Sequence, residues 1–118
     1  MAARDILLVM TTLPDAAVAA TIARALVERR LAACASVQSG CRSVYRWQGA
    51  VEQATEVPLL VKTTAARYPA LEAALREMHP YELPEIVALS VADGLPAYLE
   101  WIISGTIDED GLRNDDDR

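Results

Sequence analysis

Apolar residues in this chain recur in two rhythms, short runs of strand length and stripes at helical spacing. The first run, Ile6-Leu7-Leu8-Val9-Met10, is unbroken, which predicts a strand enclosed on both faces. Pro14-Asp15 is a helix-start signal. From there to Arg30, Val18, Ile22 and Leu26 with Ala19 and Ala23 define one helical face, and Thr21, Arg24 and Glu28 the other. Six alanines between 16 and 25 make this helix slim enough to lie close on a sheet. Cys34-Ala35-Ser36-Val37 starts a small-residue strand, broken at Ser39-Gly40. Beyond the break Ser43, Tyr45 and Trp47 share one strand face and Val44 and Arg46 the other. Gln48-Gly49 is a turn signal, so Ser43–Glu56 is predicted to be a long hairpin feeding a third strand, Val57–Thr63. Pro58 cannot donate to a ladder and belongs where this strand runs past a neighbour or bulges.

A second amphipathic helix carries Tyr68, Leu71, Leu75 and Met78 on its apolar face, with Pro69 in its first turns. His79-Pro80 ends it, because the residue before proline avoids the α region. Pro84 precedes a fourth strand, Ile86–Val91. After Asp93-Gly94 a short third helix runs from Pro96 to about Ile103. The order β-α-β-β-α-β with a C-terminal helix predicts an α+β, ferredoxin-like sandwich. Four antiparallel strands are expected in the order 4-1-3-2, with both long helices on one face and runs 6–10 and 57–61 as the central strands. Residues 1–107 read as one domain, and 108–118 as an acidic, disordered tail.

Composition sharpens the picture in three ways. A chain of 118 residues can build a core without a disulfide or metal. Its apolar fraction of 53% leaves surface for a subunit interface. The net charge of −6 is mostly in the tail, where six acids meet two bases. The rest of the chain is nearly balanced. With a pI near 4.7 and no basic patch, nucleic acid is not expected as a partner. No secretory signal pattern and no apolar run of about 18 residues is present. Cytoplasmic, reduced cysteines and no membrane association are therefore expected.

Candidate chemistry is sparse. Cys34 is either a soft-metal ligand or reactive thiol, or a buried cysteine that packs as a small hydrophobe. His79, the one histidine, is either a helix C-cap or, with Glu82 and Glu85, part of a mixed nitrogen–oxygen zinc site. Lys62, the one lysine beside ten arginines, can hold an anion as a point charge or serve in a salt bridge. Arg46 is a second candidate for an anion, and Glu56 marks the other end of the Lys62 strand. Tyr45 and Trp47 can stack a planar ligand or fill an interface. No strained nucleophile turn and no Gly-rich phosphate loop occurs, so no catalytic residues and no enzyme are expected. The exposed aromatics and basic surface of an RNA-recognition domain are also missing.

Six stretches carry a family resemblance. They are Thr12-Leu13-Pro14-Asp15, Leu31-Ala32-Ala33-Cys34, Ser43-Val44-Tyr45-Arg46-Trp47-Gln48-Gly49, Glu56 with Lys62-Thr63, His79-Pro80-Tyr81-Glu82-Leu83-Pro84-Glu85, and Tyr98-Leu99-Glu100-Trp101-Ile102. In this order the chain resembles the CutA divalent-cation-tolerance family across about residues 6–103. The resemblance implies a ferredoxin-like protomer in a homotrimer, similar in architecture to the PII signalling trimers, with a role in tolerance to copper and other divalent metals. Some members have cysteine at Thr11 and histidine at Met78; of the residues proposed there to bind copper, only His79 matches.

The expected function is therefore a cytoplasmic homotrimer that binds or responds to divalent metal, copper or zinc, and requires no cofactor. The alternative is a PII-like regulatory trimer binding an anionic ligand between subunits, and an unidentified protein or small molecule is a further candidate partner. Candidate metal ligands are His79, Cys34, Glu82 and Glu85. Candidate ligand-binding residues are Lys62, Trp47, Arg46, Glu56 and Tyr81. The projecting hairpin and the terminal helix offer Tyr45, Trp47, Val51, Tyr98 and Trp101 to the interface. Cys34 and Cys41 are expected to be unpaired: thiol titration of denatured, unreduced protein should count two per chain, and a count of zero would show a disulfide.

Overall fold

The computed structural model describes residues 5–107; the expected acidic tail, 108–118, lies outside them. The elements are β1 (Ile6–Leu13), α1 (Ala16–Glu28), β2 (Cys34–Val37), β3 (Cys41–Trp47), β4 (Ala50–Thr64), α2 (Tyr68–Met78), β5 (Val87–Ser90) and α3 (Pro96–Gly105). This is the α+β class expected. The topology differs in detail from a four-stranded sheet. The path is β2-β4-β1-β5, and a fifth strand, β3, pairs only with β4.

The difference comes from β4, which is one continuous strand of 15 residues rather than a hairpin return followed by a separate strand. Its second half pairs with β1 from Leu13↔Val57 to Ile6↔Thr64 and with β2 from Val37↔Leu59 to Cys34↔Lys62. Its first half pairs with β3 from Trp47↔Ala50 to Cys41↔Glu56. At roughly 3.4 Å per residue such a strand approaches 50 Å, and the longest molecular axis is 50 Å against 27 and 24 Å. Half of β4 is thus sheet and half is a two-stranded arm. The arm turns at Gln48 and Gly49, both at positive φ (50° and 84°), as a two-residue hairpin of the I′ kind requires.

Pro58 sits at the junction without breaking the strand. Its carbonyl accepts from Gln38 N–H at 2.9 Å, so its missing N–H also faces the β2 side, just beyond the last β2 pair. The β1 ladder needs nothing from it.

Alternation along β4 decides which side carries the core. Val57, Leu59, Val61 and Thr63 are buried, whereas Pro58, Leu60 and Lys62 are only half-buried. The buried row, with Val9 and Leu13 of β1, packs on Ala19, Ile22, Ala23 and Leu26 of α1 and on Leu71, Ala74 and Leu75 of α2. The sequence suggested that run 6–10 is covered on both faces; within one chain only the helix side is. On the opposite side Leu8 and Met10 are half-buried, and their β5 neighbours Leu89 and Val87 are 52% and 46% exposed. Cover there is limited to one end, where Leu99 and Ile102 of α3 enclose Ile6. The fourth strand is also shorter than its apolar run, four residues rather than six.

Helix ends follow local chemistry. Asp15 caps α1, its Oδ1 accepting from Val18 N–H at 2.8 Å. α1 stops at Glu28, short of the expected Arg30. Arg30 takes φ 58°, with Arg30 N–H on Val27 O and Leu31 N–H on Leu26 O, a Schellman closure that orders the turn into β2. Pro69 and Pro96 occupy first-turn positions of α2 and α3.

At fixed protein concentration, Asp15→Ala should lower denaturant stability by about 1 kcal/mol. Leu59→Ala, at a fully enclosed site, should lower it by about 2–5 kcal/mol. A Leu59 variant within 0.5 kcal/mol of the parent would contradict this placement of the core.

Candidate functional site

β5 begins at Val87, opposite Met10, so among the described residues β1 runs on from Thr11 to Leu13 with no strand on that side. An unpaired edge inside a folded protein requires partners for its backbone groups. The C-terminal end of α2 supplies one. His79 is the C-cap of α2, in extended conformation because Pro80 follows, and is 8% exposed. Its Nδ1 accepts from Tyr81 N–H at 3.2 Å, which leaves the ring proton on Nε2. Nε2 then donates toward Thr11 Oγ1 at 3.1 Å, and the ring also bonds the Thr12 backbone. Both nitrogens are thereby engaged inside the chain.

Burial pushes the His79 pKa below its ordinary 6.5, against the bond to the Thr12 backbone and the nearby Glu56 carboxylate, which act the other way. The sequence allowed His79 a role as a cation on the helix dipole. The geometry instead fits a neutral imidazole, because an Nδ1 that accepts from Tyr81 N–H carries no proton.

Glu56, on β4 at the root of the arm, is 9% exposed and accepts from Thr12 Oγ1 at 3.3 Å. Tyr81 lies beside His79, with ring centroids 4.9 Å apart and planes tilted by 50°. Its phenol pKa is raised by burial first, then by its hydrogen bond to Glu56 and that carboxylate's charge, with Tyr45 and Asp15 adding to the effect. Thr11, Thr12, Glu56, His79 and Tyr81 form one polar knot where sheet, arm and α2 meet, with Tyr45 close by. The sequence reading named Glu56, His79 and Tyr81 separately. It did not place Thr12 there, although two threonines ending an apolar run are the signal that could have found it.

The other candidates lie elsewhere. Glu82 and Glu85 are exposed on the loop after His79. Cys34 pairs across the ladder with Lys62, which pairs in turn with Leu8. An odd separation puts Leu8 and Thr11 on opposite faces, so the sheet stands between Cys34 and His79. Cys34 and Cys41 are free and half-buried, each near a serine hydroxyl, Ser36 at 3.7 Å and Ser43 at 3.8 Å. Lys62 reaches Tyr98, its Nζ 3.3 Å from the phenol oxygen. Arg46, Val51 and Tyr45 are exposed along the arm and Trp47 is half-buried near its tip.

Among the described residues no three His, Cys, Asp or Glu side chains group to hold an ion. Met78 lines an open apolar groove with Ala17, Val18, Thr21 and Ile22, a poor surrounding for a charged ligand set. As one chain, the polar knot is a hydrogen-bonded closure rather than a coordination sphere.

Residues 7–105 match the family described as CutA1 divalent ion tolerance protein. The divalent-cation tolerance protein CutA of Thermus thermophilus is 50% identical over 98 residues, covering 83% of this chain and 95% of that protein. A crystal structure of CutA from Xylella fastidiosa superposes with a TM-score of 0.84 at 45% identity, covering 86% of this chain and 98% of the other. A structure from Archaeoglobus fulgidus, described as a periplasmic divalent cation tolerance protein CutA, gives 0.83 at 32% identity over 86% and 98% of the two chains. The chain belongs to the CutA1 divalent ion tolerance family. That family is one of divalent-cation tolerance proteins and not a known enzyme class, and the PII-like alternative is not favoured. No helix among the described residues is long and apolar enough to cross a membrane.

The single histidine makes the knot directly measurable. Its proton NMR titration should give a midpoint below 6.5. Because the unfolded chain takes up this proton first, stability should fall as pH drops from about 6.5 toward that midpoint. His79→Gln should remove that slope. A midpoint at or above 6.5 would mean the ring is not held neutral.

Proposed function

We propose that the protein acts as a homotrimer in the cytoplasm, in the response to divalent ions of the copper and zinc class, by binding rather than catalysis. The observation that carries the assembly is the open side of the sheet. Leu8, Met10 and Leu60 stand half-covered beside exposed Val87 and Leu89, and the arm presents Val44 and Val51 at 62% and 64% exposure. An apolar surface of this extent is a liability unless other chains cover it. A closed ring covers it without leaving free strand edges. The number three comes from the family resemblance.

The ion reading rests on the family, and its chemistry is constrained by the chain. His79 and Glu56 are engaged internally. Cys34 lies across the ladder from the Lys62 ammonium, an unfavourable neighbour for a cation. Glu82 and Glu85 remain as exposed donors, so a bound ion takes ligands from more than one chain.

Sedimentation equilibrium should give three times the 12.8 kDa chain mass. Equilibrium dialysis with zinc or copper should show at most one ion per chain, since three equivalent subunit contacts serve three chains, reduced by Glu82→Gln with Glu85→Gln. A stable monomer would end the assembly reading. No bound ion, or binding that survives the paired Glu82→Gln and Glu85→Gln change, would end the shared-ligand reading.

A further inference from the structure

Glu82 and Glu85 stand exposed on the segment 79–86, between α2 and β5. No helix or strand holds this segment, so its shape depends on anchors elsewhere in the chain. Those anchors bracket the two carboxylates. His79, at the start, is buried, with its N–H on Leu75 O at 2.8 Å and its ring against Thr11. Tyr81 follows, its N–H on His79 Nδ1 at 3.2 Å and its phenol donating to the Glu56 carboxylate. Ile86, at the far end, packs against the main core. Glu82 comes directly after Tyr81 and Glu85 directly before Ile86, so each exposed charge is one residue from an anchored one. Pro80 and Pro84 each remove a backbone rotation from the same stretch.

The bond from Tyr81 to Glu56 is the anchor that ties this segment to the root of the arm. Glu56 is 9% exposed and also accepts from Thr12 Oγ1 at 3.3 Å. Its carboxylate is thus occupied by two hydroxyls of its own chain and acts on its surroundings through them.

We propose that Tyr81 is a positioning residue for the divalent-ion site: held by Glu56, it sets the directions in which Glu82 and Glu85 present their carboxylates, and so the affinity for the ion. Neither Tyr81 nor Glu56 touches the ion. Outer groups that orient ligating carboxylates govern affinity because a ligand already in place loses less freedom on binding. The inference rests on the divalent-ion reading. It uses contacts inside one chain and needs no solvent access at the arm root, so it applies to the assembled protein.

Zinc binding is measured by calorimetry on the assembled, metal-free protein, with sedimentation checking that every variant keeps the parent's assembly. Tyr81→Phe, which removes one oxygen, should weaken zinc about tenfold. Glu56→Met should weaken it equally, and the double variant no further than either alone, since both break one bond. Glu56→Gln keeps an oxygen that can accept from the phenol and should bind zinc within about twofold of the parent. Val61→Ala, a cavity in the enclosed row of β4, should lower stability and leave zinc affinity unchanged. A loss in Glu56→Gln as large as in Glu56→Met would make Glu56 a ligand or a bare charge, and overturns the proposal. So do additive losses in the double variant and a comparable loss in Val61→Ala. Full zinc affinity in Tyr81→Phe, with binding lost on Glu82→Gln and Glu85→Gln together, overturns it while the divalent-ion reading stands. No zinc bound by the parent, or binding that survives the paired glutamate change, ends that reading and this inference together. Tyr81→Phe decides alone if Glu56→Met does not assemble.

Discussion

The eight-residue antiparallel ladder between β1 and β4 is the constraint on which everything else hangs. It sets Ile6 against Thr64 at one end and Leu13 against Val57 at the other. Register in a sheet assigns every side chain to a face, and a slip of one residue would invert all of them. Here it turns Val9, Thr11 and Leu13 toward the same side as Val57, Leu59, Val61 and Thr63. That common row is what α1 and α2 bury. Thr63 shows how closely the row is specified: although polar, it is buried, with its hydroxyl donating to Leu31 O at 2.7 Å, so it fastens the exit of α1 to the sheet.

Because β4 outruns β1, the ladder also dictates the arm. A two-stranded ribbon has no second layer to bury its side chains, and accordingly most of Val44–Val51 is exposed. The polar knot closes the root of this ribbon. Glu56 belongs to the last β3–β4 pair, Thr12 to the end of β1 that β5 does not reach and Tyr81 to the segment after α2. Their hydrogen bonds join three elements that share little apolar contact at this point. A neutral His79 suits that role, since a buried ring that bonds through both nitrogens stabilises the closure only while it stays uncharged.

The two faces of the sheet therefore have different work. The helix side is filled within one chain and accounts for the fold. The other side holds partly covered aliphatics, a free thiol, a lysine and the edge of α3, and it is where partners and ligands are to be sought. The position of Lys62 follows from the same alternation: one residue either way along β4 would place it among the buried valine and threonine on the helix side, at a large desolvation cost.

The sequence by itself determined the α+β class and the sites of the three helices, because periodicity, capping residues and prolines act within a few residues of themselves. Asp15, Pro69, His79-Pro80 and Pro96 mark helix boundaries by local sterics and hydrogen bonding alone. It also carried the family motifs. Tertiary structure decided what depends on residues far apart in the chain. The continuity of β4 through Pro58 arises because the missing N–H falls beyond the end of β2. The gathering of Thr12, Glu56, His79 and Tyr81 arises because β5 stops short of the end of β1. The separation of Cys34 from His79 arises because an odd register step puts the sheet between them. An apolar run reports that a strand is to be buried, but only the packed chain shows which of its faces its own helices cover and which is left for something else.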